Sequence, residues 1–128
     1  MKPSATFTTE LSFSNLESTV KSHGWVNLPP FIWDEQKKKL HRHENIKGKQ
    51  VELTLTQKSE KIVCSCYSSS LLSKPDKRLL RERFFYMVGR EIELDPFISL
   101  AKTLDPQIYK LANRGWGRFL RGTSLFED

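Results

Sequence analysis

Hydrophobic and polar residues alternate with a period of two in several stretches of the first half of the chain, which predicts β-strands. In the clearest stretch, Val51, Leu53 and Leu55 alternate with glutamate and threonine. Turn residues, among them Gly48 and Ser59, separate these stretches. The pattern predicts a meander of antiparallel strands over Thr6–Phe13, Phe31–Ile46, Val51–Thr56 and Ile62–Tyr67.

The apolar spacing changes to that of a helix in the second half of the chain. Leu80, Phe84 and Met87 follow each other at helical intervals, so we predict a helix over Asp76–Val88. An earlier short helix is predicted over Asn15–His23. Its start is marked by a capping box in which Ser14 precedes Glu17 by three residues, and Gly24 marks its end.

Two Asp-Pro pairs lie ten residues apart, at Asp95-Pro96 and Asp105-Pro106. Aspartate is a good N-cap and proline suits the first helical position, so each pair should begin a short helix. Strands thus come first and helices last, which predicts an α+β fold with an antiparallel sheet and flanking helices.

The formal net charge is +6 and the sequence pI is about 9.4, a balance that favours polyanionic partners such as nucleic acid. The sequence has no apolar run of the roughly 18–20 residues that a membrane span needs. The first residues lack the apolar segment of a secretory signal. Two cysteines in "VCSCY" fit a reducing compartment, so we expect a cytoplasmic monomer that contacts no membrane.

Two pairs of metal-binding residue types raise the alternative of a zinc site. His41 and His43 would share one face of a strand, as would Cys64 and Cys66. If these strands were neighbours, a Cys₂His₂ site could form. However, zinc-binding cysteines are usually separated by two to four residues, and the histidines lie in a run of lysines that would repel a cation. We therefore expect no metal and no other cofactor.

Basic residues form three clusters, at Lys37–Lys39 with Arg42, at Lys77–Arg83, and at Lys110–Arg121. The third cluster contains no acidic residue and mixes arginines with glycines and a tryptophan. It precedes Ser124, which with Glu127 forms a second capping box and so begins a helix. This combination suits phosphate contact. The predicted DNA-binding residues are Arg114, Arg118, Arg121 and Ser124.

The segment "GWGRFLRGTSLFED" resembles the stretch that opens the catalytic region of helix-hairpin-helix DNA glycosylases, in the branch of the 3-methyladenine and 8-oxoguanine enzymes. The family pattern is Gly-Arg-x-Leu-Arg-x-x-Ser/Thr-Leu-Phe-Glu-Asp. The matching residues are Gly117, Arg118, Leu120, Arg121, Ser124, Leu125, Phe126, Glu127 and Asp128. Two earlier segments, "SHGWVNLPPFIWDE" and "ELDPFISLAKTLDPQIYKLA", are similar to the regions before the catalytic part of the same family.

This resemblance implies an N-terminal domain whose sheet and helices are similar to a half-domain of the TATA-binding protein. It implies a domain over residues 1–122 and, over 123–128, the start of the first helix of a catalytic domain that lies beyond Asp128. The catalytic aspartate of such enzymes lies in that missing part. We therefore expect no catalytic residue in this chain and no base release by the chain alone.

The function implied is that of the non-catalytic part of a base-excision-repair hydrolase, which flips a damaged base and cleaves its N-glycosidic bond. This part would pack on the catalytic core and bind double-stranded DNA weakly and without sequence preference. The alternative is a stand-alone, non-catalytic basic domain that binds DNA or another partner. An unrelated small enzyme is not supported by any arrangement of residues in the sequence.

Overall fold

A computed structural model of the chain describes residues 2–10, 15–21, 29–89, 95–111 and 120–121. These residues form a five-stranded antiparallel sheet with the strand order β1-β5-β4-β3-β2, together with short helices. The elements are β1 (Ala5–Glu10), α1 (Leu16–Val20), β2 (Phe31–Asp34), β3 (Lys39–Ile46), β4 (Lys49–Lys58), β5 (Lys61–Ser68), α2 (Lys74–Met87), α3 (Asp95–Leu104) and α4 (Pro106–Leu111). The predicted α+β fold with an antiparallel sheet is confirmed.

One face of the sheet carries the core, because side chains on a strand alternate between its two faces. The register aligns Leu40, Leu55 and Cys64 across three neighbouring strands, and all three are fully buried. Helices α1 and α2 add apolar side chains to the same core. The other face of the sheet bears polar residues such as Thr54 and Ser65.

Two turns between strands use residues with positive φ. Lys47 and Gly48 both have positive φ and connect β3 to β4, as expected for a tight two-residue hairpin. Ser59 has a φ of 57° in the turn between β4 and β5. The turns predicted at Gly48 and Ser59 are therefore confirmed.

The stretch Phe31–Ile46 is not one strand but the hairpin β2–β3, so that prediction was wrong. The turn covers residues 35–38 and begins at Asp34, whose Oδ1 accepts hydrogen bonds from the backbone N–H groups of Gln36 and Lys37. Lys38 has a φ of 54°, a conformation for which lysine gives no sequence signal. The folding back of this stretch provides the edge strand β2.

The predicted cap of α1 is displaced by one residue. Asn15, not Ser14, occupies the N-cap, and its side chain accepts a hydrogen bond from the Ser18 N–H at 3.0 Å. Asparagine and serine cap helices equally well, so sequence preference does not choose between two adjacent candidates. Gln57 of β4 also accepts from the Leu16 N–H at 2.7 Å, which ties α1 to the sheet.

Helix α2 begins with a capping box in which Ser73 accepts from the Asp76 N–H and Asp76 accepts from the Ser73 N–H. It packs on the sheet through the fully buried residues Leu80, Phe84 and Met87. The predicted helix over Asp76–Val88 is thereby confirmed. The two predicted Asp-Pro helices are also present as α3 and α4, and Asp105 caps α4 through the N–H groups of residues 107 and 108.

Candidate nucleic-acid interface

One side of α2 carries a row of exposed cations. They are Lys74, Lys77, Arg78 and Arg81, and together they are called the α2 basic face. Their spacing of three and four residues places them on neighbouring turns of one helix side. None has a carboxylate partner within 4.0 Å among the residues that the structure describes. Arg81 lies over the Phe85 ring, with 5.6 Å between the guanidinium carbon and the ring centroid.

Two shallow surface depressions meet at Lys77. One is lined by the serine-rich end of β5 and by Ser4, and this surface is called the serine depression: Ser4, Ser68, Ser69, Ser70, Leu71, Leu72 and Lys77. The other is lined by Phe7, Lys77, Arg78, Arg81 and Glu82. Hydroxyl groups and cations therefore border one continuous stretch of surface beside α2.

The opposite side of α2 has its charges paired. Glu44 of β3 accepts from Arg42 Nε and from Arg83 Nη1, each at 2.6 Å. Arg42 is only 2% exposed and lies over the Phe31 ring, with 4.5 Å between its guanidinium carbon and the ring centroid. Sequence grouping had placed Arg42 in a basic cluster with Lys37–Lys39. The structure instead places it in the core, where it links the sheet to α2.

A second paired group lies at the start of α2. Asp76 accepts from Lys49 Nζ at 2.6 Å and from the Ser73 backbone N–H. These hydrogen bonds, chiefly the one from Lys49, lower the pKa of Asp76 to about 2. Lys49 also donates to the Leu71 carbonyl at 2.8 Å, so a single ammonium group holds the loop before α2 against β4.

Lys38, in the Lys37–Lys39 cluster, is compensated by acidic residues. Lys38 contacts Glu17 at 2.9 Å and Glu35 at 2.8 Å, and Lys21 contacts the same two carboxylates. Hydrogen bonds from Lys38, the Trp33 indole and Lys21 lower the pKa of Glu35 to about 2. This exposed network joins α1 to the β2–β3 turn. Its two lysines, Lys21 and Lys38, therefore already have anionic partners.

Of the four residues predicted to bind DNA, the structure describes only Arg121. Its guanidinium carbon lies 3.7 Å from the Tyr86 ring centroid, and its backbone N–H donates to the Met87 carbonyl at 2.9 Å. The neighbouring Leu120 is fully buried, and its N–H donates to Thr19 at 3.0 Å. This segment therefore packs beside the end of α2.

Arg114, Arg118, Ser124 and the predicted Ser124–Glu127 capping box lie outside the described residues. The same holds for Ser14 and for Leu11–Phe13 of the first predicted strand. The structure therefore gives no geometry for most of the predicted C-terminal site. The first helix ends at Val20 with Lys21 as its C-cap, so the predicted end at Gly24 was wrong.

The cysteines and histidines of the possible zinc site do not lie on the same face of the sheet. Cys64 and Cys66 point into the core, whereas His41 pairs across the sheet with Thr54 on the opposite face. A hydrogen bond with Cys66 and burial raise the pKa of the Cys64 thiol. Among the described residues no cluster of metal-binding side chains forms. The Cys₂His₂ alternative is incompatible with this register, because its ligands lie on two faces of one sheet.

Helices α3 and α4 expose a group of large apolar side chains. These residues form the α3–α4 apolar surface, and each has between 44% and 71% of its area exposed: Phe97, Leu100, Leu104, Ile108 and Leu111. Single exposed apolar residues are ordinary, but a contiguous group on one short helical pair marks an interaction surface. No helix in the described ranges has the length and apolarity to cross a bilayer.

The α2 basic face was undervalued in the sequence because Lys77–Arg83 contains Glu82, whereas Lys110–Arg121 is free of acids. Helical spacing would have separated Lys74, Lys77, Arg78 and Arg81 from Arg83, which faces the sheet. Glu82 lines the same depression as Arg78, but it forms no ion pair with any residue that the structure describes.

No protein-family model and no curated protein matches this sequence. A solved structure of a 3-methyladenine DNA glycosylase from Archaeoglobus fulgidus has a similar fold, with a TM-score of 0.67 and 20% sequence identity. The similarity covers 94% of this chain and 41% of the glycosylase chain, so this chain spans less than half of that protein's length. The described sheet and helices therefore have the fold of a DNA glycosylase-like domain.

Proposed function

We propose that this chain is the N-terminal, non-catalytic part of a base-excision-repair DNA glycosylase-like protein, in which it supports DNA binding and packs on the catalytic core. The observation that carries the proposal is the fold similarity, which extends over 94% of this chain but only 41% of the glycosylase. On this proposal residues 1–122 form the domain, and residues 123–128 begin the first helix of the helix-hairpin-helix catalytic part.

The carboxylates of the described residues support a non-catalytic role. A glycosylase needs an aspartate or glutamate that faces the reacting sugar, either to activate a nucleophile or to support positive charge. Hydrogen bonds lower the pKa of four carboxylates here: Glu17, Asp34, Glu35 and Asp76. Glu44 is enclosed between two arginines. These groups are engaged in holding the fold together.

The α3–α4 apolar surface supports packing on a further domain. Leu104 is 71% exposed and Leu111 is 52% exposed, and removing such side chains from water stabilises an assembly by about 25 cal/mol per Å². A catalytic core that follows in the same polypeptide would provide the covering surface at high effective concentration, because the linker keeps both partners together.

DNA is the proposed partner, and Arg114, Arg118, Arg121 and Ser124 remain the proposed contact residues of the C-terminal segment. With about two to four phosphates neutralised, log K should fall with log salt at a slope of about −2 to −4. Binding of this kind is independent of sequence, because phosphate contacts position a protein without reading bases.

Base release from defined duplexes tests the catalytic part of the proposal. The purified chain is incubated with duplexes that contain an alkylated base, 8-oxoguanine or uracil, and we expect no release above buffer. Release that a single substitution in this chain abolishes would contradict the proposal.

In parallel, the genomic sequence after the codon for Asp128 is read. An open frame that encodes a helix-hairpin-helix and a downstream aspartate supports the proposal, whereas an immediate stop codon favours a stand-alone domain.

A further inference from the structure

We infer that the α2 basic face and the adjoining serine depression form a binding surface for the phosphodiester backbone of duplex DNA. This inference rests on the proposed function in one respect, namely that DNA is the partner. It assigns the contact to a surface separate from Arg121, which lies at the other end of α2. Tyr86, on which Arg121 stacks, is twelve residues from Lys74, or about 18 Å along the helix.

Several cations elsewhere in the described residues have carboxylate partners, whereas the α2 basic face groups four cations without one on a single helix side. Lys21 and Lys38 share two glutamates, Lys49 binds Asp76, Lys61 faces Glu10, and Arg83 binds Glu44. The cations of the α2 basic face lack such carboxylates. They extend over eight residues, from Lys74 to Arg81, which is about 10 Å along a helix. Each DNA strand carries one phosphate per about 3.4 Å of the duplex axis, so a row of this length can contact more than one phosphate.

The placement of these cations opposes the stability of the helix. Lys74, Lys77 and Arg78 lie in the first half of α2, where the positive end of the helix dipole disfavours cations, and the last turn has no basic residue. Lys74 with Arg78, and Lys77 with Arg81, are like-charge pairs four residues apart, which also disfavours the helix. A bound polyanion would relieve both repulsions, whereas Asp76, the acidic residue of the first turn, already binds Lys49.

The serine depression supplies neutral donors beside the cations. Ser4 Oγ donates to the Ser68 carbonyl, and Ser68 Oγ accepts from the Ser70 N–H. The hydroxyls of Ser69 and Ser70 form no hydrogen bond with any residue that the structure describes, and they lie on the exposed rim next to Lys77. Hydroxyl groups, like arginine and lysine side chains, are common phosphate ligands in protein–DNA interfaces. In the first turn of α2 the Asp76 N–H already donates to the Ser73 side chain and Pro75 has no N–H, so side chains make the proposed contacts.

An anionic membrane is a poorer fit to the same charges. A helix that lies on a lipid surface combines its basic residues with several large apolar side chains that enter the bilayer. Among the residues that the structure describes, Leu71 is the one large apolar side chain near the α2 basic face that is strongly exposed, and the other exposed large apolar residues lie on β2, α3 and α4.

The test is titration of a labelled non-specific duplex of about 20 base pairs at several salt concentrations. The variant carries Lys77→Gln, Arg78→Gln and Arg81→Gln. A matched control carries Lys37→Gln, Lys39→Gln and Lys58→Gln, which removes an equal number of charges from a depression that these lysines line together with Thr54, Thr56 and Ser65. We expect the first variant to lose at least about tenfold in affinity and to reduce the salt slope by about 2 to 3. The control should keep the parental slope within about 1.

Additional measurements distinguish the possible results of this titration. If the parent binds and the α2 variant keeps its affinity and slope, the surface assignment is wrong while DNA binding stands. Loss in an Arg118→Ala plus Arg121→Ala variant would then locate binding in the C-terminal segment. If the parent binds no duplex at low salt, DNA is not the partner, and the proposed function loses that element as well. Binding to phosphatidylserine vesicles without binding to DNA would also overturn the inference. Circular dichroism of each variant excludes unfolding as the cause of a loss.

Discussion

The charged residues on the two sides of α2 differ in whether they form ion pairs. On the side that faces the sheet, Asp76 and Arg83 each form a close ion pair, and apolar residues such as Phe84 fill the core between them. On the outer side, the cations of the α2 basic face have no described carboxylate within reach. The same helix therefore has paired charges on the side that holds the fold and, on the outer side that we propose for DNA, cations without a described carboxylate partner.

This difference follows from the cost of removing charge from water. A buried charge needs a partner, because desolvation otherwise costs several kcal/mol, so Glu44 lies between two arginines. An exposed cation bears no such cost and gains little from a single surface ion pair. Unpaired cations on one helix side thus reduce stability only slightly, and they remain available to a polyanion.

The largest expected effect is on the core side. Phe84 is fully buried, so Phe84→Ala should lower the free energy of unfolding by about 3–5 kcal/mol, through lost burial and the cavity that remains. Arg81→Ala, on the outer side of the same helix, should change it by no more than about 0.5 kcal/mol. Urea denaturation measures both. Similar losses in the two variants would mean that the sides of α2 do not differ as described.

A somewhat smaller loss is expected when the buried ion pairs are broken. Glu44→Gln leaves the guanidinium of Arg42 without its carboxylate in a site where the arginine is 2% exposed. Removing one partner of a buried pair costs about 3 kcal/mol, the low end of the usual range, because Arg83 retains access to water. Glu82→Gln is the matched control, since Glu82 is exposed on α2 and has no ion pair with any described residue. A loss under about 1 kcal/mol in Glu44→Gln would contradict this account.

Acid should weaken the attachment of α2 at its first turn. The pKa of Asp76 is lowered to about 2, so its carboxylate stabilises the fold fully above its ordinary pKa of 3.8. That contribution disappears as the pH falls through about 2. Asp76→Asn keeps the cap but removes the charge that binds Lys49. The difference in unfolding free energy between parent and variant should therefore shrink as the pH falls from 4 to 2. A difference that stays constant over this range would show that Asp76 acts only as a cap.

Much of the fold could be predicted because its strands bury one face and so alternate. Val51, Leu53 and Leu55 indicated β4 directly, and the two Asp-Pro pairs marked the starts of α3 and α4. The β2–β3 turn was missed because Glu35, Gln36, Lys37 and Lys38 include no glycine, asparagine or proline. Its one local signal was Asp34, whose side chain accepts hydrogen bonds from the turn.

The candidate site was less predictable, because ion pairs with residues distant in sequence decide which charged side chains are compensated. Arg83 and Arg81 are two residues apart, yet one binds Glu44 of β3 and the other faces solvent. Arg42 looked like part of a surface cluster and is buried. Only the packing of α2 on the sheet decides which cations are compensated, and this packing joins residues about forty positions apart.

The most direct test of the contrast between the two sides of α2 is the mapping of amide chemical shifts while unlabelled duplex is added to the ¹⁵N-labelled chain at low salt. The account predicts the largest shifts at Ser69, Ser70, Lys77, Arg78 and Arg81, and little change at Lys38, whose ammonium group already contacts Glu17 and Glu35. Shifts confined to Lys37–Lys39, or spread evenly over all the exposed lysines, would contradict it.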